Sequence, residues 1–295
     1  MRSGSAVILV CIASALWGER VRVASFNLRN YLVMDRLAGD RWLENYPKPE
    51  SEKKIIRSIV KSVNPDVLAI QEMGGAPLLE EFWQDLNSSG IGNYKHCFWA
   101  KGREGEERHL ALLSRLPLEV CIDHSNLELQ YFNQKLFLRR GLMEVTFRTS
   151  GIEWRLFNLH LKSKWTERDD DPQSSMLREK EARCIRDFIR QNHPPESNSM
   201  HLIVGDFNDF KKSAPLRRFL QVNKTVLHHM LPCRDFMGRF WTHHYAKQDS
   251  YDRIDYMLAS PAMFNAYVPD SGRIADHFRC LEGSDHRMIY ADFFF

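Results

Sequence analysis

The chain has 295 residues, 43% hydrophobic and 27% charged, which is enough for one large core or for two domains. Its net charge of +3 fits an anionic substrate, although an ordinary solvated surface has the same balance. The six cysteines are scattered and form no CxxC pair, which argues against zinc ligation by cysteine.

Residues 1–18 have the pattern of a secretory signal peptide. Arg2 precedes an apolar run over 6–16, which is too short to span a bilayer and ends near small residues. Cleavage fits after Ala15 or after Gly18, and a buried N-terminal strand is the less favoured alternative. We expect an exported protein, periplasmic or secreted, whose mature domain covers 19–295 without a transmembrane segment. An exported chain could also form one disulfide, whose partners the sequence does not name.

The first half of the mature chain alternates strand and helix patterns, which argues for an α/β fold. Polar residues stand at the ends of two of its strands, Asn27 and Glu72. The stretch 31–49 is less regular, and 101–108 reads as a charged loop. Strands are predicted over 21–27, 66–71, 94–100, 109–114, 116–122 and 142–148, and helices over 51–63 and 77–86.

The second half continues the alternation and ends on a strand. A strand over 153–161 carries His160, which is either a structural residue or a catalyst, and the basic Lys162 and Lys164 follow it. A strand around 202–204 ends at Gly205. Further strands are predicted over 240–245, 253–258 and 288–293, and helices over 175–191 and 214–220.

The sequence GDFND directly follows the strand around 202–204. Such strand ends are where α/β sheets place their chemistry. Asp206 and Asn208 share a face if the backbone stays extended, and a carboxylate beside an amide suits metal-assisted phosphate chemistry. The alternative is a turn rich in Gly, Asn and Asp.

Four other polar groups leave more than one interpretation open. Arg139 and Arg140 could hold a phosphate or mark an exposed strand end, and the three aspartates at 169–171 suit a solvated loop better than a cation site. His243 and His244 alternate faces and so make a poor metal pair. Asp255 lies within an apolar strand and needs a partner.

Together the strand ends offer carboxylates, amides and two histidines. The oxygen groups favour a hard cation, Mg²⁺ or alternatively Mn²⁺ or Ca²⁺, and the histidines can act as acid and base near neutral pH. This combination indicates metal-assisted attack of water on a phosphate ester. Its members are Asn27, Glu72, His160, Asp206, Asn208, Asp255, Asp285 and His286.

The ordered motifs FN, QE, LLSR, NLHL, GDFND, RIDY and SDH resemble the endonuclease/exonuclease/phosphatase superfamily, the fold of DNase I. The resemblance covers roughly 21–295. It implies a four-layer α/β sandwich of two packed, mostly antiparallel sheets with helices outside. HLKSK is similar to secreted bacterial nucleases of this superfamily.

The resemblance implies a role for each matching residue. Catalytic residues would be Asp206, which orients or deprotonates the water, Asn208, which holds a phosphate oxygen, His286 with its partner Asp255, and His160 with its partner Glu107. Metal residues would be Glu72, Asn27 and Asp285. Phosphate-binding residues would be Arg140, Lys162 and Lys164.

The resemblance leaves the substrate open. The branch that repairs abasic sites has an acidic residue at the position of Arg29 and a tyrosine at the position of His160, so the chain departs from it at both. A nuclease cleaving DNA or RNA is the leading interpretation; the alternative is a phosphatase or phosphodiesterase acting on a phosphoinositide, sphingomyelin or another small phosphate ester. A non-catalytic binding module is disfavoured because Glu72, Asp206 and His286 are all present. We expect a monomer with a nucleic-acid substrate and no stable protein partner.

Overall fold

The computed structural model describes residues 18–90 and 92–295, so nearly all of the predicted signal peptide lies outside the described residues. The strands in chain order are β1 (Arg20–Tyr31), β2 (Met34–Ala38), β3 (Arg41–Tyr46), β4 (Val67–Met73), β5 (His96–Ala100), β6 (His109–Ser114), β7 (Val120–Asp123), β8 (Glu128–Tyr131), β9 (Gln134–Phe137), β10 (Leu142–Thr149), β11 (Ile152–His160), β12 (His201–Asp206), β13 (Gln221–Val222), β14 (Thr225–Val226), β15 (His229–Met230), β16 (His243–Tyr245), β17 (Ser250–Asp252), β18 (Asp255–Ala259), β19 (Arg273–Ile274) and β20 (Ile289–Phe294). The α-helices are α1 (Glu50–Val63), α2 (Ala76–Ser88), α3 (Ser175–Asn192), α4 (Ala214–Leu220), α5 (Pro261–Ala266) and α6 (Cys280–Gly283).

Two six-stranded sheets form the centre of the molecule. The first has the order β19-β20-β1-β4-β6-β5 and the second β15-β18-β12-β11-β10-β7. Neighbours are antiparallel except for one pair in each sheet, β1 with β4 and β11 with β12. In each parallel pair the two strands end at the same edge of the sheet, so their last side chains lie close together.

Helices cover the outer faces of both sheets. Ile56 of α1 and Phe82 of α2 are buried with Phe26 of the first sheet. Ile185 of α3 and Phe219 of α4 are buried with residues of the second sheet. A third apolar cluster, drawn from both sheets, fills the space between them. The predicted four-layer sandwich with mostly antiparallel sheets is therefore confirmed.

A polar contact also crosses the space between the sheets. The side-chain amide of Gln71 donates to Asn158 Oδ1 at 2.7 Å. Asn158 in turn donates to the carbonyl oxygens of Ile70 at 3.0 Å and Ala111 at 3.2 Å. Because buried amides are costly to leave unpaired, this contact holds β11 in one position relative to β4 and β6.

The structure departs from the predicted elements in several places. The stretch 31–49 contains the hairpin of β2 and β3, and β8 and β9 form a second hairpin that no pattern indicated. The strand predicted over 116–122 begins only at Val120, after Pro117, which has no N–H to give to a ladder. Of the strand predicted over 240–245, only His243–Tyr245 forms.

Two further findings concern the described part of the chain. The cysteines at 97, 121, 184, 233 and 280 are all free, so none of them forms the disulfide that the sequence left open. Within 18–90 and 92–295, no helix combines the length and apolar character needed to cross a membrane.

A buried pair of histidines lies under α4. His228 Nδ1 donates to the carbonyl oxygen of Phe219 at 2.6 Å, which leaves its Nε2 as an acceptor for His201 Nε2 at 2.9 Å. Both rings are buried, and burial lowers the pKa of His201 well below its usual value. Burial lowers the pKa of His228 to about 4.

The histidine pair predicts loss of stability in acid. Between pH 6.5 and pH 4 the unfolded chain protonates His228 whereas the folded chain does not, so the free energy of unfolding falls by up to about 1.4 kcal/mol per pH unit for this group. Urea unfolding of wild type and His228→Asn across this range should show a shallower fall in the variant, which retains an N–H for Phe219. The control is His229→Asn, at the neighbouring half-buried position. Equal slopes for wild type and His228→Asn would contradict the interpretation.

Candidate active site

Strand ends from both sheets meet at one edge of the molecule. β1 and β4 bring Asn27 and Glu72, and β11 and β12 bring His160 directly opposite Asp206. The amide nitrogen of Asn27 lies 3.1 Å from Asp206 Oδ2, so the two sheets touch here through polar groups. The predicted convergence of these four residues is what the structure shows.

Unusual backbone conformations direct two of these strand ends. Glu72 has φ +60° and lies where the pairing of β4 with β6 shifts register, a bulge that turns its side chain toward the site. The backbone N–H of Asn30 donates to Glu72 Oε2 at 2.8 Å. Gly205 has φ +137°, and a Cβ there would lie 2.0 Å from the carbonyl oxygen of Leu159. Only glycine therefore fits immediately before Asp206.

Asp206 is the centre of the site and is only 1% exposed. Its Oδ1 accepts the backbone N–H of Asn208 at 2.8 Å, and its Oδ2 accepts from Asn27. Two imidazoles face the same Oδ2, with His160 Nε2 at 3.4 Å and His286 Nε2 at 3.7 Å. Burial raises the pKa of Asp206 to about 7, although the neighbouring charge of His286 opposes the shift.

His286 is held by its neighbours in one orientation. Its Nδ1 lies 2.9 Å from Asp255 Oδ2, so Asp255 has the partner that its place in an apolar strand requires. Ser284 Oγ accepts the backbone N–H of His286 at 3.0 Å and donates to the carbonyl oxygen of Asn27 at 2.8 Å. Burial works against the charged ring, but Asp255 and Asp206 prevail and raise the pKa of His286 to about 10. The ring is therefore cationic.

His160 differs from His286 in its surroundings. Burial, together with the charges of Arg140 and His286, lowers the pKa of His160 well below its usual value, so this ring is neutral. Its Nδ1 is buried and has no hydrogen-bond partner among the described residues. The two histidines thus offer opposite protonation states on either side of Asp206.

A cavity of about 440 Å³ opens above Asp206. Most of the predicted site residues line it, whereas Asn27 and Asp255 lie behind the lining and support it. The cavity is lined by Arg29, Asn30, Glu72, Arg108, Arg139, Arg140, His160, Ser163, Trp165, Asp206, Asn208, His243, Asp285 and His286.

Several groups around this cavity could hold a metal ion. Ligand atoms of Asp206, Asp255 and His286 lie within 4.8 Å of one another, as do those of His243, Asp285 and His286. Glu72 and Asp285 also present carboxylates to the cavity. Carboxylate oxygens are the ligands that hard divalent cations prefer, so this donor set fits such an ion.

The structure changes the predicted roles of both asparagines. Asn27 Oδ1 accepts the backbone N–H of Arg29 at 2.9 Å, so Asn27 turns its amide nitrogen, a donor, toward Glu72 and Asp206. As oriented here, it positions carboxylates and offers no oxygen to a metal. Asn208 Nδ2 donates to the carbonyl oxygen of Leu161 at 2.9 Å and to Asp206 at 3.3 Å. Its two amide protons are therefore engaged, and none is free for a phosphate oxygen.

Three predicted residues lie away from the cavity lining. Glu107 is exposed and forms no hydrogen bond or ion pair with His160, so the predicted pairing is wrong. The ammonium of Lys162 turns back to the carbonyl oxygens of Ser163 and Trp165. Lys164 lies over the ring of Phe210, with its ammonium 3.9 Å from the ring centre. The chain curls after β11, so the run of basic residues does not project into the site.

The cavity also contains residues that sequence analysis missed. His243 lies 3.9 Å from Asp285 through its Nε2, while His244 faces the other way and contacts Asp249. The prediction that the two histidines point to opposite faces of their strand is confirmed. The pattern did not indicate that the face with His243 lines the cavity. Arg29 and Arg108 line the cavity as well, and only their nearness to Asn27 and to β6 could have indicated it.

A model of the "Endonuclease/Exonuclease/phosphatase family" matches residues 24–286. No curated protein sequence matches the chain.

Solved structures show the same fold at low identity. An endonuclease/exonuclease/phosphatase from Bacteroides vulgatus is 16% identical, with TM-score 0.65 and coverage of 93% of this chain and 98% of that one. A beta toxin from Staphylococcus aureus is 14% identical, with TM-score 0.63 and coverage of 92% and 99%. The human nocturnin catalytic domain is 17% identical, with TM-score 0.60 and coverage of 94% and 95%.

Removal of the Ser284 hydroxyl tests whether this residue positions His286 in addition to stabilising the fold. Ser284→Ala should lower the free energy of unfolding by about 1–3 kcal/mol, because a buried N–H and a buried carbonyl lose their partner. Its kcat on a phosphate ester should fall about 10- to 100-fold with little change in KM, because His286 loses its anchor.

The matched control is Ser271→Ala. Ser271 makes the same two kinds of bond, donating to the carbonyl oxygen of Val268 and accepting from Asp292 N, but it lies away from the cavity. The control should lose stability and keep kcat. An equal loss of kcat in both variants would show that Ser284 does not act through His286.

Proposed function

The chain belongs to the endonuclease/exonuclease/phosphatase family of phosphoric ester hydrolases, and on this premise we propose that it is a Mg²⁺-dependent endonuclease cleaving DNA or RNA. The observation that carries the proposal is the surroundings of Asp206. This buried carboxylate lies between a cationic and a neutral histidine, at the floor of a cavity with arginines in its wall.

Each residue has a part in the proposed hydrolysis. Asp206, its pKa raised toward neutrality by burial, orients a water molecule and accepts its proton. His286 presents a positively charged N–H beside it, for the charge that develops on the phosphate, and Asp255 fixes its orientation. His160, neutral and close to Asp206, is the second acid–base group.

The family generally uses a divalent metal, and we propose Mg²⁺, held by Glu72 and Asp285, with Mn²⁺ or Ca²⁺ as substitutes. When bound, such an ion would neutralise negative charge on the phosphate oxygens. Asn30 and Asn27 would keep the Glu72 carboxylate oriented for it.

The basic wall of the cavity favours a polyanionic substrate. Arg29, Arg108, Arg139 and Arg140 all line it, and guanidinium groups are well suited to bind phosphates. This supports a nucleic acid, whose affinity should fall steeply with salt. We further propose that the protein acts as a monomer and, from the pattern of residues 1–18, outside the cytoplasm.

One observation favours a second candidate, a phosphodiesterase acting on a lipid headgroup. Phe236 and Phe278 are 87% and 92% exposed on neighbouring loops, linked because Phe236 N donates to Asp276. Arg287, next to His286, also donates to Asp276. Exposed aromatic side chains this close to a site suit contact with a membrane surface. The active-site residues would be the same in both candidates.

Asp206→Asn should lower the rate of plasmid nicking by about 10²- to 10⁴-fold with the fold intact, because the water loses its base. Gel electrophoresis of supercoiled plasmid measures the nicking, and the cooperativity of unfolding checks the fold. The control is Asp187→Asn, an aspartate that pairs with Arg186 on α3. Nicking at a near-normal rate in Asp206→Asn would refute the assignment.

Removal of the metal should have the same effect as the loss of Asp206. EDTA should abolish nicking, and Mg²⁺ should restore it where Zn²⁺ does not, because the proposed ligands are hard oxygen groups. Persistent activity in EDTA would contradict metal dependence. The acid–base role of Asp206 would still be tested separately, by the nicking rate of Asp206→Asn.

A further inference from the structure

Four arginines line the cavity, and we call them together the arginine wall: Arg29, Arg108, Arg139 and Arg140. They come from three segments, the end of β1, the loop before β6 and the turn before β10. The wall borders His160, because Arg140 Nη1 donates to the carbonyl oxygen of the next residue, Leu161, at 3.3 Å.

Two members of the arginine wall are already paired with carboxylates. Arg29 Nε lies 3.5 Å from Asp285, and Arg139 Nε lies 3.0 Å from Glu106. The other two, Arg108 and Arg140, form no ion pair with any acidic residue of the described chain. Arg108 Nε donates to the neutral side chain of Asn30 at 2.8 Å instead.

Arg140 is the less expected of the two unpaired members. It is 8% exposed, and its Nε has no hydrogen-bond partner within the described residues. A buried guanidinium without a carboxylate is costly, because charge is removed from water with no compensation. Because no group of the fold pairs with its charge, the burial of Arg140 indicates that an anionic ligand binds there.

One scissile phosphodiester carries a single negative charge. His286 and a divalent ion held by Glu72 and Asp285, all of which line the cavity beside Asp206, would already serve that phosphate. The positive charges of Arg108 and Arg140 then have no anionic partner. They match one further anion of phosphate geometry, since a guanidinium fork donates two parallel hydrogen bonds to phosphate oxygens.

We propose that the arginine wall, through Arg108 and Arg140, is a subsite for a second phosphate group of the substrate, adjacent to the phosphate that is hydrolysed. The inference rests on the proposed function and deepens it. It makes these arginines specificity determinants, and it defines the substrate as one with two neighbouring phosphates. The second phosphate is either another diester in the same strand or a terminal monoester.

Three thymidine oligonucleotides test the subsite and distinguish these sources. One is the dinucleotide with a single diester, the second is the trinucleotide with two diesters, and the third is the dinucleotide with a 5′-terminal phosphate. With Mg²⁺, kcat/KM should be about tenfold higher for at least one two-phosphate substrate than for the single diester, as expected for a charge-assisted contact. A gain with the trinucleotide indicates an internal phosphate, and a gain confined to the 5′-phosphorylated dinucleotide indicates a strand end.

Substitutions test whether the arginine wall causes the higher kcat/KM for two-phosphate substrates. Arg108→Gln should reduce the two-phosphate preference about tenfold, and Arg140→Lys, which keeps the charge but loses the fork, should reduce it in part. Arg103→Gln is the matched control, because Arg103 lies on the same loop but faces Phe137 and does not line the cavity. It should keep the full preference. Should Arg140→Lys not fold, Arg108→Gln alone still decides.

Equilibrium binding of the same three oligonucleotides in EDTA, without turnover, separates the subsite from the reaction. Tighter binding of a two-phosphate ligand that Arg108→Gln abolishes supports the subsite even where no oligonucleotide is cleaved, an outcome that would count only against cleavage of short DNA strands. Equal binding and equal kcat/KM for all three overturn the subsite, and cleavage in that case leaves the nuclease assignment standing. Preference that survives in Arg108→Gln also overturns it.

Discussion

The burial of Asp206 is the constraint on which the rest of the site depends. An ionised carboxylate removed from water is costly unless hydrogen-bond donors and opposite charges surround it. Its donors come from separate parts of the chain: Asn27 from the first sheet, Asn208 from its own loop, and His286 from the segment before β20. The carboxylate is therefore satisfied only when both sheets are packed together, which makes formation of the site inseparable from formation of the sandwich.

The buried amides of Gln71 and Asn158 also join the two sheets, close to the site. Gln71 immediately precedes Glu72, and Asn158 lies two residues before His160, so their contact fixes the two strands that deliver these side chains. Sliding one sheet over the other would break this contact and displace a carboxylate from a histidine. This polar contact thus gives the site its precision, while the apolar cluster between the sheets supplies most of the packing.

Local patterns of strands and helices predicted an α/β fold, whereas the four-layer sandwich and the roles of the site residues were implied by the resemblance of the ordered motifs to a known family. Strand ends deliver polar groups to one edge, and the order of motifs along the chain identified which ends matter. The direction of the amides of Asn27 and Asn208 could not be predicted, because it depends on backbone groups of neighbouring residues.

The wrongly placed residues and the missed residues have related physical causes. Glu107 and Lys162 lie just outside strands, where alternation no longer tells which way a side chain points, and there the local backbone turns them from the cavity. His243 reaches the site only because β16 folds back beside His286, a long-range contact without a sequence signal. The arginine wall likewise assembles from segments distant in sequence.

A comparison of substrates would show whether the site around Asp206 hydrolyses nucleic-acid phosphodiesters. The chain from residue 19 would be incubated with Mg²⁺ and, side by side, plasmid DNA, RNA, a phosphoinositide and sphingomyelin vesicles. We expect nicked plasmid or cleaved RNA with both lipids intact. Release of phosphate or headgroup from a lipid, with DNA and RNA unchanged, would rule out a nuclease and assign the same catalytic residues to a lipid substrate.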